Sequence, residues 1–147
     1  MNSHAAPRRS VVANAIYGLL NPIPFGCFVA ALIFDIIYAQ TAVILWDKAS
    51  AWLIVFGLLL AIVPRLINLA QVWITSRTIT TSADRLDFWL NLLAIVAAIF
   101  NAFVHSRDAY GVVPAGCWLS LLTVLLLAIS HIIIAVQSTH SGDIVHE

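Results

Sequence analysis

Apolar residues fill four long stretches of the chain, at 25–45, 51–74, 86–104 and 116–136, and all the charged residues but Asp35, Arg65 and Asp87 lie outside them. Each stretch is close to the ~20 residues that carry a helix across a ~30 Å hydrocarbon core. Lipid offers the backbone no hydrogen-bond partners, so runs this long and this continuously apolar are expected to be helices. The connections WDKAS, TSRTITTSAD and SRDAYGVVPA are short, five residues in the first and ten in each of the others. Short connections join antiparallel neighbours, which predicts an all-α, integral membrane four-helix bundle of up-down-up-down order.

The polar residues inside the runs fall on stripes. In the third run Asp87, Asn91, Ala94, Ala98, Asn101 and His105 recur at spacings of four and three, which is one face of a helix. The fourth run offers Gly116, Ser120, Thr123, Leu127 and His131; the second offers Gly57, Ala61, Arg65, Asn68 and Val72; the first offers Ala31, Asp35, Tyr38 and Ala42. Small and hydrogen-bonding residues are what helices in lipid use to associate, so these stripes should face one another.

Asp35 is the acid that most needs an explanation, because an ionisable side chain near the bilayer centre costs roughly 2.5–3.5 kcal/mol on insertion scales and so has a partner. With the first hairpin turning at Asp47 and Lys48, Arg65 lies within roughly 7–8 Å of it along the axis, a gap that a guanidinium can cover. Pro64 removes a backbone donor beside Arg65 and frees the carbonyl of Leu60. The expected buried network is therefore Asp35, Arg65, Asn68, Asn91 and His131. Its first reading is structural, as a device that fixes helix register. Its second is a proton or ion site, since intramembrane acids mark such paths, although an adjacent arginine opposes protonation of the carboxyl.

Composition agrees with a chain built for lipid. Of 147 residues 62% are hydrophobic and 10% charged, against about 45–50% and about 25% in soluble domains. A net charge of zero supplies no field for nucleic acid. The tryptophans Trp46, Trp52, Trp73, Trp89 and Trp118 fall near the expected helix ends, at headgroup level. Arg8, Arg9, Arg77 and Arg85 share the side of the N-terminus, against Lys48 and Arg107 opposite, which puts both termini in the cytoplasm. Residues 1–24, with VVANAIYGLL broken by Asn14, Pro22 and Pro24, read as a cytoplasmic segment with a short interfacial helix; a cleaved signal is the alternative. Residues 137–147 read as a disordered cytoplasmic tail. Cys27 and Cys117 read as small hydrophobes.

Inward histidines in a four-helix bundle raise the possibility of haem b. His105 and His131, however, differ in depth by roughly 20 Å in this reading and cannot ligate one iron. The expectation is thus no cofactor, with haem b the alternative through one histidine or a dimer. The chain carries no nucleophile elbow, phosphate loop, paired-cysteine motif or zincin signature, and nothing in it points to an enzyme.

The strings NPIPFGCFVAALIFDI, WDKASAWLIVFGLLLA and NAFVHSRDAYGVVPAG resemble the bacterial membrane-protein family catalogued as domain of unknown function 2231, over roughly 21–130. The most specific string matches at Asn101, Phe103, His105, Arg107, Asp108 and Tyr110. The resemblance implies four spans and no assigned activity, and relatives joined to Rieske-type iron–sulfur domains imply an anchor near membrane redox chemistry. The chain departs from the family pattern at Asn21, where relatives carry histidine, and in SHIIIAVQSTH, which replaces a glycine-rich basic end. The turn around Asn101, His105, Arg107 and Asp108 then reads either as a stop between spans or as a periplasmic docking surface. Together these observations point to a structural or anchoring subunit of a larger assembly in the bacterial inner membrane, redox-linked through the resemblance. Its expected partners are the lipid bilayer and another membrane or periplasmic protein, or a second copy. The alternatives are a conductor of protons, ions or small solutes at Asp35 and Arg65, and a b-type electron-transfer protein.

Overall fold

The computed structural model describes residues 22–74, 82–107 and 109–143. They form four helices, α1 (Pro22–Thr41), α2 (Ile44–Ile74), α3 (Ser82–His105) and α4 (Ala115–Asp143), with a 3-10 turn at Ala109–Gly111 and no strand among the described residues. Each helix contains a segment long and apolar enough to cross a membrane: Pro22–Thr41, Ile44–Ile62, Arg85–His105 and Ala115–Gln137. α1 packs along α2 and α3 along α4, and contacts of α1 with α4 and of α2 with α3 close the ring. The up-down-up-down bundle is therefore the observed architecture. The interfacial helix expected within 1–24 falls on residues 1–21, outside the described residues, while Pro22–Pro24 open α1.

The first hairpin turns earlier than hydropathy suggests. α1 stops at Thr41, whose Oγ1 donates to the Ile37 carbonyl, and Ala42 takes a left-handed φ of 53° while its N–H still reaches Tyr38 O. WDKAS is consequently not a loop but the start of α2, with Asp47 in the first turn, where a helix dipole favours an acid. Its polar residues imitate a loop in a hydropathy profile, yet none of them breaks a helix. α4 likewise runs to Asp143, through most of the stretch expected to be an unstructured tail, and no proline follows Pro114 to interrupt it.

The core is made of close contacts. Phe28, Ala31, Ile54, Ala94, Ala98 and Leu127 form one buried cluster. At Gly57 an added Cβ would lie 3.0 Å from the Phe28 ring, so the glycine is what lets α1 and α2 approach. The outward faces, including Ile33, Phe56, Leu59, Phe100, Phe103 and Ile132, are apolar and exposed, as lipid-facing surface must be. Trp52, Trp89 and Trp118 are exposed. Trp46 instead turns inward, with its ring centroid 5.2 Å from that of Phe34.

Candidate functional site

One end of the bundle carries the turns at 42–43 and 106–114, and here the buried polar groups converge. His105, the last residue of α3, places Nε2 2.9 Å from Asp35 Oδ1 on α1 and Nδ1 3.0 Å from the Asn101 carbonyl. Ser120 of α4 donates to Asp35 Oδ2 at 2.5 Å, and Asn101 Nδ2 donates to Ser120 Oγ at 2.7 Å. Asp35, Asn101, His105 and Ser120 are all essentially inaccessible. The bonds form a closed ring through three helices, from Asn101 to Ser120, to Asp35, to His105 and back to the Asn101 backbone.

Donor bookkeeping assigns the protons. A carbonyl oxygen only accepts, so His105 Nδ1 carries a hydrogen. The Nε2···Oδ1 contact then holds one proton, either on the carboxyl with a neutral imidazole or on the imidazole with a carboxylate. In both forms the pair is neutral as a whole, which is how lipid-embedded ionisable groups are tolerated.

The surroundings fix this geometry. Gly116 lies against the imidazole, where an added Cβ would meet His105 Cε1 at 3.0 Å and Val112 Cγ1 at 2.6 Å. Val112, from the 106–114 turn, and Tyr38 are buried together above the ring, with Trp46 and Val104 packed on them. Cys117 Sγ donates to the Asp35 backbone carbonyl at 3.4 Å, a second tie between α1 and α4. α2 joins through Ser50 Oγ, which donates to Ala31 O at 3.2 Å. One turn before Ser50 lies Asp47, fully buried, whose carboxylate oxygens have no hydrogen-bond partner; Lys48 Nζ is 3.8 Å from Oδ2. Asn101 Oδ1 is also buried without a hydrogen-bond partner.

A family model described as a predicted membrane protein, DUF2231, matches residues 14–135. The chain belongs to this family. It matches no curated protein and no solved structure.

Set on this family member, the expected site residues divide. Asp35 is buried as anticipated, but its partners are His105 and Ser120 rather than Arg65. The reason is the earlier turn. Phe34 meets Trp46, so Asp35 stands level with the start of α2, and Arg65 lies about 19 residues farther along that helix, roughly 28 Å away. The side chains of Arg65 and Asn68 lie outside those described. Asn91 joins a separate cluster near the other end of α3, donating to Asp87 Oδ1 at 2.8 Å and to Ser130 Oγ at 2.6 Å, while Ser130 Oγ bonds Asp87 Oδ1. His131 is not in either network. It is exposed, edge-on to Phe25 with ring centroids 5.2 Å apart, because α4 turns Ser130 rather than His131 inward.

The expected docking turn also divides. Asn101 and His105 are interior, Arg107 and Tyr110 are exposed, and Asp108 lies outside the described residues. As for haem, both ring nitrogens of His105 are engaged and His131 faces outward, so the observed arrangement offers no free inward imidazole from either. Among the described residues no three of His, Cys, Asp and Glu are grouped to hold a metal ion. The sequence reading put Ser120 on the inward stripe of α4 but not beside Asp35, and it took Asp47 for part of the hairpin turn rather than for a buried residue of α2. Asp47, Ser50, Ile54 and Gly57, all buried, have the three-and-four spacing of a helix face, and that signal was hidden by assigning WDKAS to a loop.

Proposed function

We propose that this chain is a structural, anchoring subunit of a larger membrane assembly, holding a partner at the end of the bundle where Arg107 and Tyr110 are exposed. The observation that carries this reading is the layer between the two polar clusters. Asn101 and Asn91, or Ser120 and Ser130, are about 15 Å apart along their helices, and between them lie Phe28, Ala31, Ile54, Ala94, Ala98 and Leu127, with one buried hydroxyl, Thr123, that donates to the Leu119 carbonyl of its own helix. Among the described residues no hydrogen bond across this layer links the two polar clusters, which favours a scaffold over a conductor. Arg107 and Tyr110 supply a cation and an aromatic ring at the exposed turn, the residue types enriched where proteins dock. The arginine bias of the sequence supports a bacterial inner membrane with both termini cytoplasmic, which places this turn in the periplasm. The resemblance to relatives joined to iron–sulfur domains favours a redox assembly.

The test is mild-detergent purification of the tagged protein from its native membranes. The expected result is a partner at fixed stoichiometry that is lost with Arg107→Glu and Tyr110→Ala while the bundle itself stays folded. A protein that emerges alone, and that carries an Asp35-dependent proton flux in liposomes, overturns the reading in favour of conduction.

A further inference from the structure

We infer, on the reading of the chain as an anchoring subunit, that the tip of the first hairpin is the anchor, and that its partner is a water-exposed protein domain with an apolar groove edged by carboxylates. Tight turns are usually built from Gly, Pro, Asn, Asp or Ser. This one consists of Ala42 and Val43, and α2 begins at once with Ile44 and Leu45. Val43 and Ile44 are each 47% exposed and Leu45 is 69% exposed. The second turn adjoins it, because Val112 is buried against Tyr38 with Trp46 packed on them, and it adds exposed Tyr110 and Val113 to the same end.

Depth decides what covers this apolar tip. His105 is bonded to Asp35, so Thr41, six residues past Asp35, stands roughly 6 Å farther out than Arg107, two residues past His105. Along α2, Lys48 lies four residues inside Ile44, again about 6 Å. Its ammonium does not reach outward to the tip, since Nζ is held 3.8 Å from the buried Asp47 carboxylate. Exposed Trp118, two residues from Ser120 and thus from the level of Asp35, lies level with Arg107. Exposed cations and tryptophans mark the headgroup layer, so Val43, Ile44 and Leu45 stand beyond the acyl chains. An apolar patch in that position marks a protein contact.

Charge and orientation select the partner. Among the described residues the exposed charges at this end, Lys48 and Arg107, are both positive, whereas Asp35 and Asp47 are buried. An apolar centre with a cationic rim is matched by an apolar groove with an acidic one. A second copy does not fit: in the same bilayer its tip points the same way, and tip-to-tip contact would set cation against cation.

Two experiments on the full chain test this. In liposomes of purified protein, a nitroxide on Leu45→Cys, with Cys27→Ala and Cys117→Ala, is relaxed by a water-soluble nickel chelate and by oxygen. The chelate should dominate at 45, and oxygen at Leu59→Cys on the outer face of α2; oxygen dominance at 45 means that acyl chains cover the tip, and overturns the inference. In native membranes, p-benzoylphenylalanine at position 45 is photolysed and the crosslinked peptide is sequenced. The expected adduct lies in a non-membrane domain of the partner, among Asp and Glu. Val43→Ser with Leu45→Ser, both at exposed positions, should lower the yield of co-purified partner about tenfold or more. An adduct with lipid, with a second copy or with a membrane span overturns the inference. If Arg107→Glu and Tyr110→Ala release the partner while the serine variant keeps it, the anchoring reading stands and the tip is not its anchor; if no partner is held at all, both fail.

Discussion

Gly116→Ala is the sharpest probe of the hairpin-end ring, because it adds one methyl group at the position where three elements meet. The new Cβ would sit 2.6 Å from Val112 Cγ1 and 3.0 Å from His105 Cε1. Val112 is buried and the imidazole is held at both nitrogens, so neither neighbour can step aside without losing contacts. Overpacking of this kind costs about 1–3 kcal/mol. Replacing glycine by alanine in a helix interior returns up to about 1 kcal/mol, but Gly116 is only the second residue of α4, where the gain is smaller. The expected net loss is about 1–2 kcal/mol, a factor of roughly 5–30 in the folded-to-unfolded ratio. Unfolding in mixed dodecyl maltoside and SDS micelles, followed by circular dichroism, measures it. The double variant Gly116→Ala with Val112→Ala removes the nearer clash, and a double-mutant cycle should show favourable coupling of at least about 0.5 kcal/mol. A Gly116→Ala protein as stable as the wild type, or a cycle without coupling, would show that the ring is not packed as described.

Three further outcomes follow from the same geometry. Asp35→Asn should fold with a loss under about 1 kcal/mol, because the amide can donate to His105 Nε2 and accept from Ser120, whereas Asp35→Ala leaves both unpaired and should cost about 1–3 kcal/mol in the same micelle titration. The 15N resonances of His105 should show Nδ1 protonated at every pH at which the protein is folded, since its partner is a carbonyl; an unprotonated Nδ1 in folded protein would contradict the ring. Ala42→Gly should stabilise by about 0.5–1 kcal/mol, since a left-handed φ costs an L residue about 1–2 kcal/mol and part of the relief is returned by the freer unfolded chain.

Much of the architecture is legible in the sequence because lipid leaves few options. Four apolar runs of spanning length can only be helices, and on α3 the spacing of Asn91, Ala94, Ala98, Asn101 and His105 identifies the face that is buried. On α4 the same reasoning runs correctly through Gly116, Ser120, Thr123 and Leu127, then meets a fork, since Ser130 and His131 are both compatible with helical spacing. The larger polar side chain is the more tempting choice, and the small one is inside. The partner of Asp35 was harder to reach. It depends on where the first hairpin turns, and that turn is made by Thr41 and Ala42, which carry neither the glycine nor the proline that marks a turn. Moving the turn from Asp47 and Lys48 to Ala42 shifts everything opposite Asp35 by several helical turns and brings His105 to it in place of Arg65.

The position of the polar pairs explains why so few of them suffice. Apolar stripes in lipid are nearly as well solvated by acyl chains as by each other, so packing alone resists sliding weakly. Along α3 and α4 three contacts share a single register: His105 with Gly116, Asn101 with Ser120 and Asn91 with Ser130. A slip by one turn would keep small residues on the stripe but set Asn91 and Asn101 against apolar neighbours, leaving buried amides unpaired near both ends of the helix pair. Two hydrogen-bonded levels separated by an apolar layer therefore fix register, while the layer between them keeps the bundle closed. The ring at the hairpin end adds α1 to that register through Asp35. Among the described residues α2 is tied to α1 by Ser50, which donates to the Ala31 carbonyl, and it brings Asp47 into the interior with Lys48 as its ion-pair partner, so α2 is held to the other helices more by packing than by the ring.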